Sequence, residues 1–103
     1  MWFCVSVILW LTFSLSGYDN STGAWPYQGM TASGRYADAT TIACGSGFPL
    51  GTRFLIDGAL KVCWDRGPAI SDKHIDVWMP TYAQALALGR RELRVGGVRE
   101  GCR

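Results

Sequence analysis

Short apolar runs alternate along this chain with polar, turn-rich stretches, and the runs have the length and residue types of β-strands. Residues 2 to 13 are nearly all apolar, carry no charge and are too short for a comfortable helical membrane span. They admit two readings. One is the apolar core of a signal peptide, with Ser14-Leu15-Ser16 as a small-x-small cleavage site before Gly17, although no positive charge follows Met1. The other is a buried first strand: Val5, Val7, Ile8, Leu9 and Trp10 are strand formers, and Thr12, Ser14 and Ser16 then alternate with Phe13 and Leu15. The alternation assigns residues 11 to 18 to the folded domain and leaves 1 to 10 open between the two readings.

Tyr18 to Gly34 reads as a loop, dense in Gly, Asn, Asp, Ser and Pro. Its aromatics Tyr18, Trp25 and Tyr27 suit stacking on a sugar ring as well as a small cluster of their own. Thr31-Ala32-Ser33-Gly34 closes it with two hydroxyls and a glycine, which fits a tight turn near a pocket. Short strands follow at Thr40–Cys44, Arg53–Ile56, Leu60–Trp64 and Ile75–Met79. Asp57-Gly58 is a two-residue hairpin turn. Thr81 is placed to cap a helix over Tyr82–Leu88 that Gly89 ends. Leu93, Val95 and Val98 mark a last strand, Glu92–Val98, and residues 99 to 103 form a tail. Six short strands and one short helix predict an all-β domain, a small closed barrel over residues 11 to 98.

One domain is all that 103 residues allow. A net charge of +2, with no basic stripe interleaved with aromatics, argues against a nucleic-acid partner; Arg90, Arg91, Arg94, Arg99 and Arg103 read as a solvated strand face and tail. Cys4, Cys44, Cys63 and Cys102 include no C-x-x-C pair, and His74 is the single histidine, so neither a metal nor another cofactor is expected. A disulfide framework in an oxidising compartment fits better. Three pairings are open. Cys44 with Cys63 is favoured because each ends or lies within an apolar run near the candidate site; Cys4 with Cys102 would then tie the termini. Reduced thiols buried as small hydrophobes are the alternative.

The candidate chemistry lies between Val62 and Trp78. Asp65 ends one apolar run, Asp76 sits inside the next, and a short Gly/Pro-marked connection joins them. If both runs are strands of one barrel, both carboxylates can face one pocket. Ile75 and Val77 flank Asp76, so the sequence predicts a desolvated carboxyl with a raised pKa, suited to a general acid. The plainer reading pairs Asp65 and Asp76 with Arg66 and Lys73 at turns or strand edges.

Taken in order, Thr31-Ala32-Ser33-Gly34, Pro49-Leu50-Gly51-Thr52-Arg53, Asp65-Arg66-Gly67-Pro68-Ala69-Ile70, Ile75-Asp76-Val77-Trp78, Ala85 to Gly89 and Val95 resemble the three-aspartate ("3D") domain family. That family is similar to the catalytic barrel of membrane-bound lytic transglycosylase A and, more distantly, to the barrels of rare-lipoprotein-A proteins, expansins and family 45 endoglucanases. The likeness spans roughly residues 12 to 98, and His74-Ile75-Asp76 also resembles the His-Phe-Asp signature of expansins. It implies a six-stranded double-psi β-barrel acting outside the cytoplasm, as a monomer, on peptidoglycan glycan strands. The family's second aspartate falls on Asp65 and its third, the catalytic acid, on Asp76. Its first has no counterpart, since Gly45 stands near that place.

Under this likeness Asp76 protonates the glycosidic oxygen, and Asp65 holds the geometry and raises the pKa of Asp76 by like-charge repulsion. Thr31, Ser33, Gly34, Tyr18, Arg66 and His74 contact the glycan. Trp64 and Trp78 suit the core better than a sugar platform. The rival readings are a non-catalytic glycan-binding module, hydrolysis by water with Asp19 as the one loop candidate for a base, and a disulfide-stapled domain with a protein partner.

Overall fold

A two-residue turn at Asp57 and Gly58, both at positive φ (50° and 80°), folds one strand back on the next as the sequence predicts; this is the conformation that Asp-Gly tolerates at a hairpin tip. The structure, a computed structural model, describes residues 4–20, 29–67 and 69–102. Its strands are β1 (Cys4–Tyr18), β2 (Thr41–Ala43), β3 (Arg53–Ile56), β4 (Ala59–Asp65), β5 (His74–Trp78) and β6 (Arg91–Cys102), with one helix, α1 (Tyr82–Leu88), between β5 and β6. They close into a barrel in the order β1-β5-β2-β4-β3-β6. Two neighbour pairs, β1/β5 and β2/β4, are parallel, and the remaining pairings are antiparallel. The fold is therefore the all-β, six-stranded closed barrel with one short helix that the strand spacing predicts.

Period-two alternation fills the interior. Phe13 and Leu15 of β1, Ile42 of β2, Phe54 and Ile56 of β3, Cys63 of β4, Ile75 and Val77 of β5 and Val95 of β6 form one buried cluster with Cys44. Phe13, Phe48 and Phe54 pack as a tilted and edge-on trio with ring centroids 5.3–6.0 Å apart. Burying a side chain as fully as Phe54 (1% exposed) contributes about 1.5–3 kcal/mol. Cys44 and Cys63 form a disulfide with Cα atoms 5.8 Å apart, the pairing favoured from sequence. It joins the end of β2 to β4, and closing a loop of this length contributes roughly 3 kcal/mol.

Thr81 caps α1, accepting a 3.2 Å hydrogen bond from the Gln84 N–H. Gly89, at φ 63°, ends the helix by donating its N–H to the Leu86 carbonyl at 3.1 Å. The helix lies against β1 at Gly17, where a Cβ would sit only 2.8–2.9 Å from the backbone of Ala85. Glycine is what allows this approach.

β1 and β6 pair without interruption from Cys4↔Cys102 to Leu15↔Arg91. Residues 4 to 10, left open by the sequence, and 99 to 102, placed in a tail, thus belong to the two strands of one ribbon. The proposed Cys4–Cys102 tie rests on side chains outside the described residues, as do Trp25 and Tyr27. Among the described residues, no helix is long and apolar enough to cross a membrane.

Candidate functional site

A row of four neighbouring strands carries the site. Ser16 of β1 is registered with Asp76 of β5, Asp76 with Ala43 of β2, and Ala43 with Asp65 of β4. Asp65 reaches this row through a register shift. Ile42 pairs with Cys63, but Ala43 pairs with Asp65, so Trp64 is the extra residue of a bulge. Bulges re-aim side chains next to functional sites, and this one brings the carboxylate level with Ala43.

Asp65 is held at both oxygens. Its Oδ2 accepts the Tyr18 hydroxyl at 2.8 Å, and its Oδ1 accepts the backbone N–H groups of Ala32 and Arg66, each at 2.9 Å. Burial pushes the Tyr18 phenol well above its ordinary pKa, reinforced by the charge of Asp65, the hydrogen bond to it and the charge of Asp76. Tyr18 is thus a fixed O–H donor standing in the field of both carboxylates.

Asp76 occupies a different setting from the one its sequence neighbours suggest. Ile75 and Val77 are buried in the core, and strand alternation turns Asp76 to the other face, so these neighbours do not surround the carboxyl. Its side chain is 24% exposed, and that of His74 is 14% exposed. The Ser16 hydroxyl donates to Asp76 Oδ1. His74 Nε2 lies 2.9 Å from the same oxygen and 2.7 Å from Ser16 Oγ. His74 Nδ1 is buried without a partner among the described residues, which favours the tautomer with the proton on Nε2, where the unpaired atom is only an acceptor. This is not the relay of a serine nucleophile, which needs serine and carboxylate on opposite ring nitrogens. It is a carboxyl group held at one oxygen by two neighbours.

Ser16 was not singled out from sequence. The signal for it was its place two residues before Tyr18 on an alternating strand, which puts both on one face. Ser16, Gly17, Tyr18 and Asp19 also line a cleft of about 210 Å³ against α1. Asp19 is buried at 6% exposure.

The other expected contact residues are placed differently. Thr31 is buried, and its hydroxyl lies 2.7 Å from Ser33 Oγ and donates to the Arg35 carbonyl at 2.8 Å. Gly34, at φ 86°, donates to the Thr31 carbonyl at 2.9 Å, and Ser33 N–H to the Trp64 carbonyl at 3.0 Å. The Thr31–Gly34 turn therefore fastens itself to the end of β4 and presents the Ala32 N–H to Asp65. Arg66 meets Asp65 only through its backbone. Its guanidinium Nη1 donates to the Gly45 carbonyl at 2.6 Å and the Cys44 carbonyl at 3.3 Å, and Nη2 to the Phe48 carbonyl. Trp64 and Trp78 are half-buried and outside the core cluster. The Arg35 guanidinium sits 4.2 Å above the Trp64 ring, and Trp78 Nε1 donates to Asn20 Oδ1 at 2.8 Å.

Gly45 has no room for a side chain. Asp72 fills that space with its carboxylate, which also accepts the Gly47 N–H at 2.8 Å. Among the described residues, no group of three or more His, Cys, Asp or Glu is placed to hold a metal ion.

A scan against protein-family models and a search among curated proteins each return no match to this chain. Fold and site together define a closed, mixed β-barrel whose surface gathers two carboxylates, a half-buried phenol and a serine–histidine pair along adjacent strands.

Proposed function

We propose that this barrel is a cell-wall glycan-active domain of the three-aspartate, double-psi type, a peptidoglycan lytic transglycosylase with Asp76 as its single acid/base. The observation that carries the reading is the setting of Asp76: partly exposed, held by Ser16 and His74, and separated from Asp65 by the single strand β2. The sequence likeness supplies the substrate class. The buried Cys44–Cys63 disulfide suits an oxidising, extracytoplasmic compartment.

One acid suffices for this chemistry, where a typical glycosidase uses two carboxylates. Asp76 gives its proton to the glycosidic oxygen as the bond to the anomeric carbon of muramic acid breaks. The C6 hydroxyl of the same residue attacks that carbon, and its proton passes to the Asp76 carboxylate. The acid is regenerated, no water is consumed, and the products are a free sugar hydroxyl and a 1,6-anhydro end. Ser16 and His74 hold the Asp76 carboxyl, while Tyr18 and the Ala32 N–H hold Asp65.

The second reading, a glycan-binding module without bond cleavage, draws on Gly45: the acidic residue that the likeness expects there is absent, and Asp72 occupies the space. Incubation of the protein with purified peptidoglycan and mass analysis of the released muropeptides separates the two. Soluble anhydro products that vanish in Asp76→Asn are the expected result. Retention on the glycan without products supports the binding module, products with reducing ends support hydrolysis, and neither products nor retention ends both glycan readings.

A further inference from the structure

The barrel closes before β1 ends. β5 joins β1 only from Ser14 onward, so among the described residues Cys4 to Phe13 are paired on one side alone, with β6. The alternation that buries Phe13 and Leu15 continues outward through Leu11, Leu9, Val7 and Val5, on the core-facing side but beyond the barrel. These four are 51%, 59%, 50% and 56% exposed. On the opposite face Ile8 and Trp10 pack over Gly96 and are still 41% and 48% exposed. Gly97 and Gly101 stand opposite Leu9 and Val5 and offer no side chain to cover them. The result is an arm whose β1 strand carries no charge on either face and is open along one edge, with Arg99 opposite Val7 and Arg94 opposite Thr12 on β6.

We propose that this edge is a dimerisation surface, with β1 of one copy adding antiparallel to β1 of a second copy to make a continuous β6-β1-β1-β6 sheet. Three observations select this occupant. The edge needs a strand: its unpaired backbone groups do not enter lipid, where open sheet edges are not tolerated. It lacks the devices that keep edges apart, since residues 4 to 16 contain no charge, proline or glycine. It also suits itself, because an isologous contact about a two-fold axis brings the same uncharged row together. The nearby charges Arg94, Arg99 and Glu100 lie on β6, away from the seam. Pairing along the edge joins the unpaired backbone groups of both copies and sets the apolar side chains of one β1 beside those of the other, while both faces of the new sheet stay open. Leu9 lies seven residues from Ser16 along β1, about 23 Å at strand rise, so both candidate sites stay open. The dimer departs from the monomer expected from sequence and does not depend on the glycan reading.

The test is sedimentation of the full chain at concentrations up to about 100 µM, with Leu9→Lys, the double variant Val7→Thr/Leu9→Thr, and Leu60→Lys as a control on an exposed residue away from the arm. The expected result is twice the monomer mass for the wild type and the Leu60 variant, and monomer mass with an unchanged β-sheet spectrum for the arm variants. The threonine pair keeps strand propensity and decides the matter if Leu9→Lys does not fold. A monomeric wild type, a dimer that persists in the arm variants, or a monomer that instead co-sediments with phosphatidylglycerol vesicles overturns the proposal.

Discussion

Asp65 and Asp76 share one neighbour: both are registered with Ala43, from the parallel strand on one side of β2 and the antiparallel strand on the other. At ordinary strand spacing their backbones are about 10 Å apart. Each is fastened by a separate set of donors, and Tyr18 lies in the field of both. Their division of labour follows from occupancy. Asp65 has three donors spread over its two oxygens, whereas Ser16 and His74 both meet Asp76 at Oδ1.

If Asp76 is the acid, Asp76→Asn reduces the initial rate of muropeptide release by at least ~10²-fold, the usual worth of a positioned acid. Ser16→Ala removes one hydrogen bond to a charged group and reduces it roughly 10-fold or more, with the barrel intact by circular dichroism. Equal rates in wild type and Asp76→Asn remove Asp76 from the mechanism.

Tyr18 is expected to stay protonated through the pH range in which an ordinary tyrosine ionises. Its folded pKa lies above the unfolded value of 10.0, so its contribution to stability is complete below pH 10 and declines as pH rises beyond it. A phenolate absorbance titration checks this: Tyr18→Phe leaves the amplitude near pH 10 unchanged. Losing the hydroxyl also strips Asp65 of a donor and costs about 1–3 kcal/mol in denaturant unfolding.

Gly17→Ala drives a methyl group into the Ala85 backbone and is expected to lift α1 from β1 at a cost of about 1–3 kcal/mol. Faster amide exchange confined to α1 and its contact with β1 is the signature. Exchange unchanged in the helix contradicts the packing described above.

Reducing the Cys44–Cys63 bond costs about 2–4 kcal/mol by the usual effect of such a bond. Arg66→Met is expected to loosen the same segment, because the guanidinium ties the Cys44, Gly45 and Phe48 carbonyls. Thermal unfolding of the reduced protein, of Arg66→Met and of reduced Arg66→Met measures whether the two effects overlap, as shared contact requires. Full additivity argues that Arg66 acts elsewhere.

Much of the barrel was legible because its signals are local. Period-two alternation marked the strands, Asp57-Gly58 set a turn that needs positive φ at both positions, and Thr81 and Gly89 framed the helix. The favoured disulfide joins strand segments that the same pattern located. The tertiary structure alone decided what depends on register. A single bulge at Trp64 aligned Asp65 with Ala43, strand alternation took Ile75 and Val77 away from Asp76, and parallel pairing of β1 with β5 put Ser16 beside His74. It also turned the Arg66 guanidinium to backbone carbonyls and set residues 4 to 13 in an arm beyond the barrel. Alternation and turn conformation are fixed by a few consecutive residues; which strands lie side by side, and in which register, is settled only by packing the whole chain.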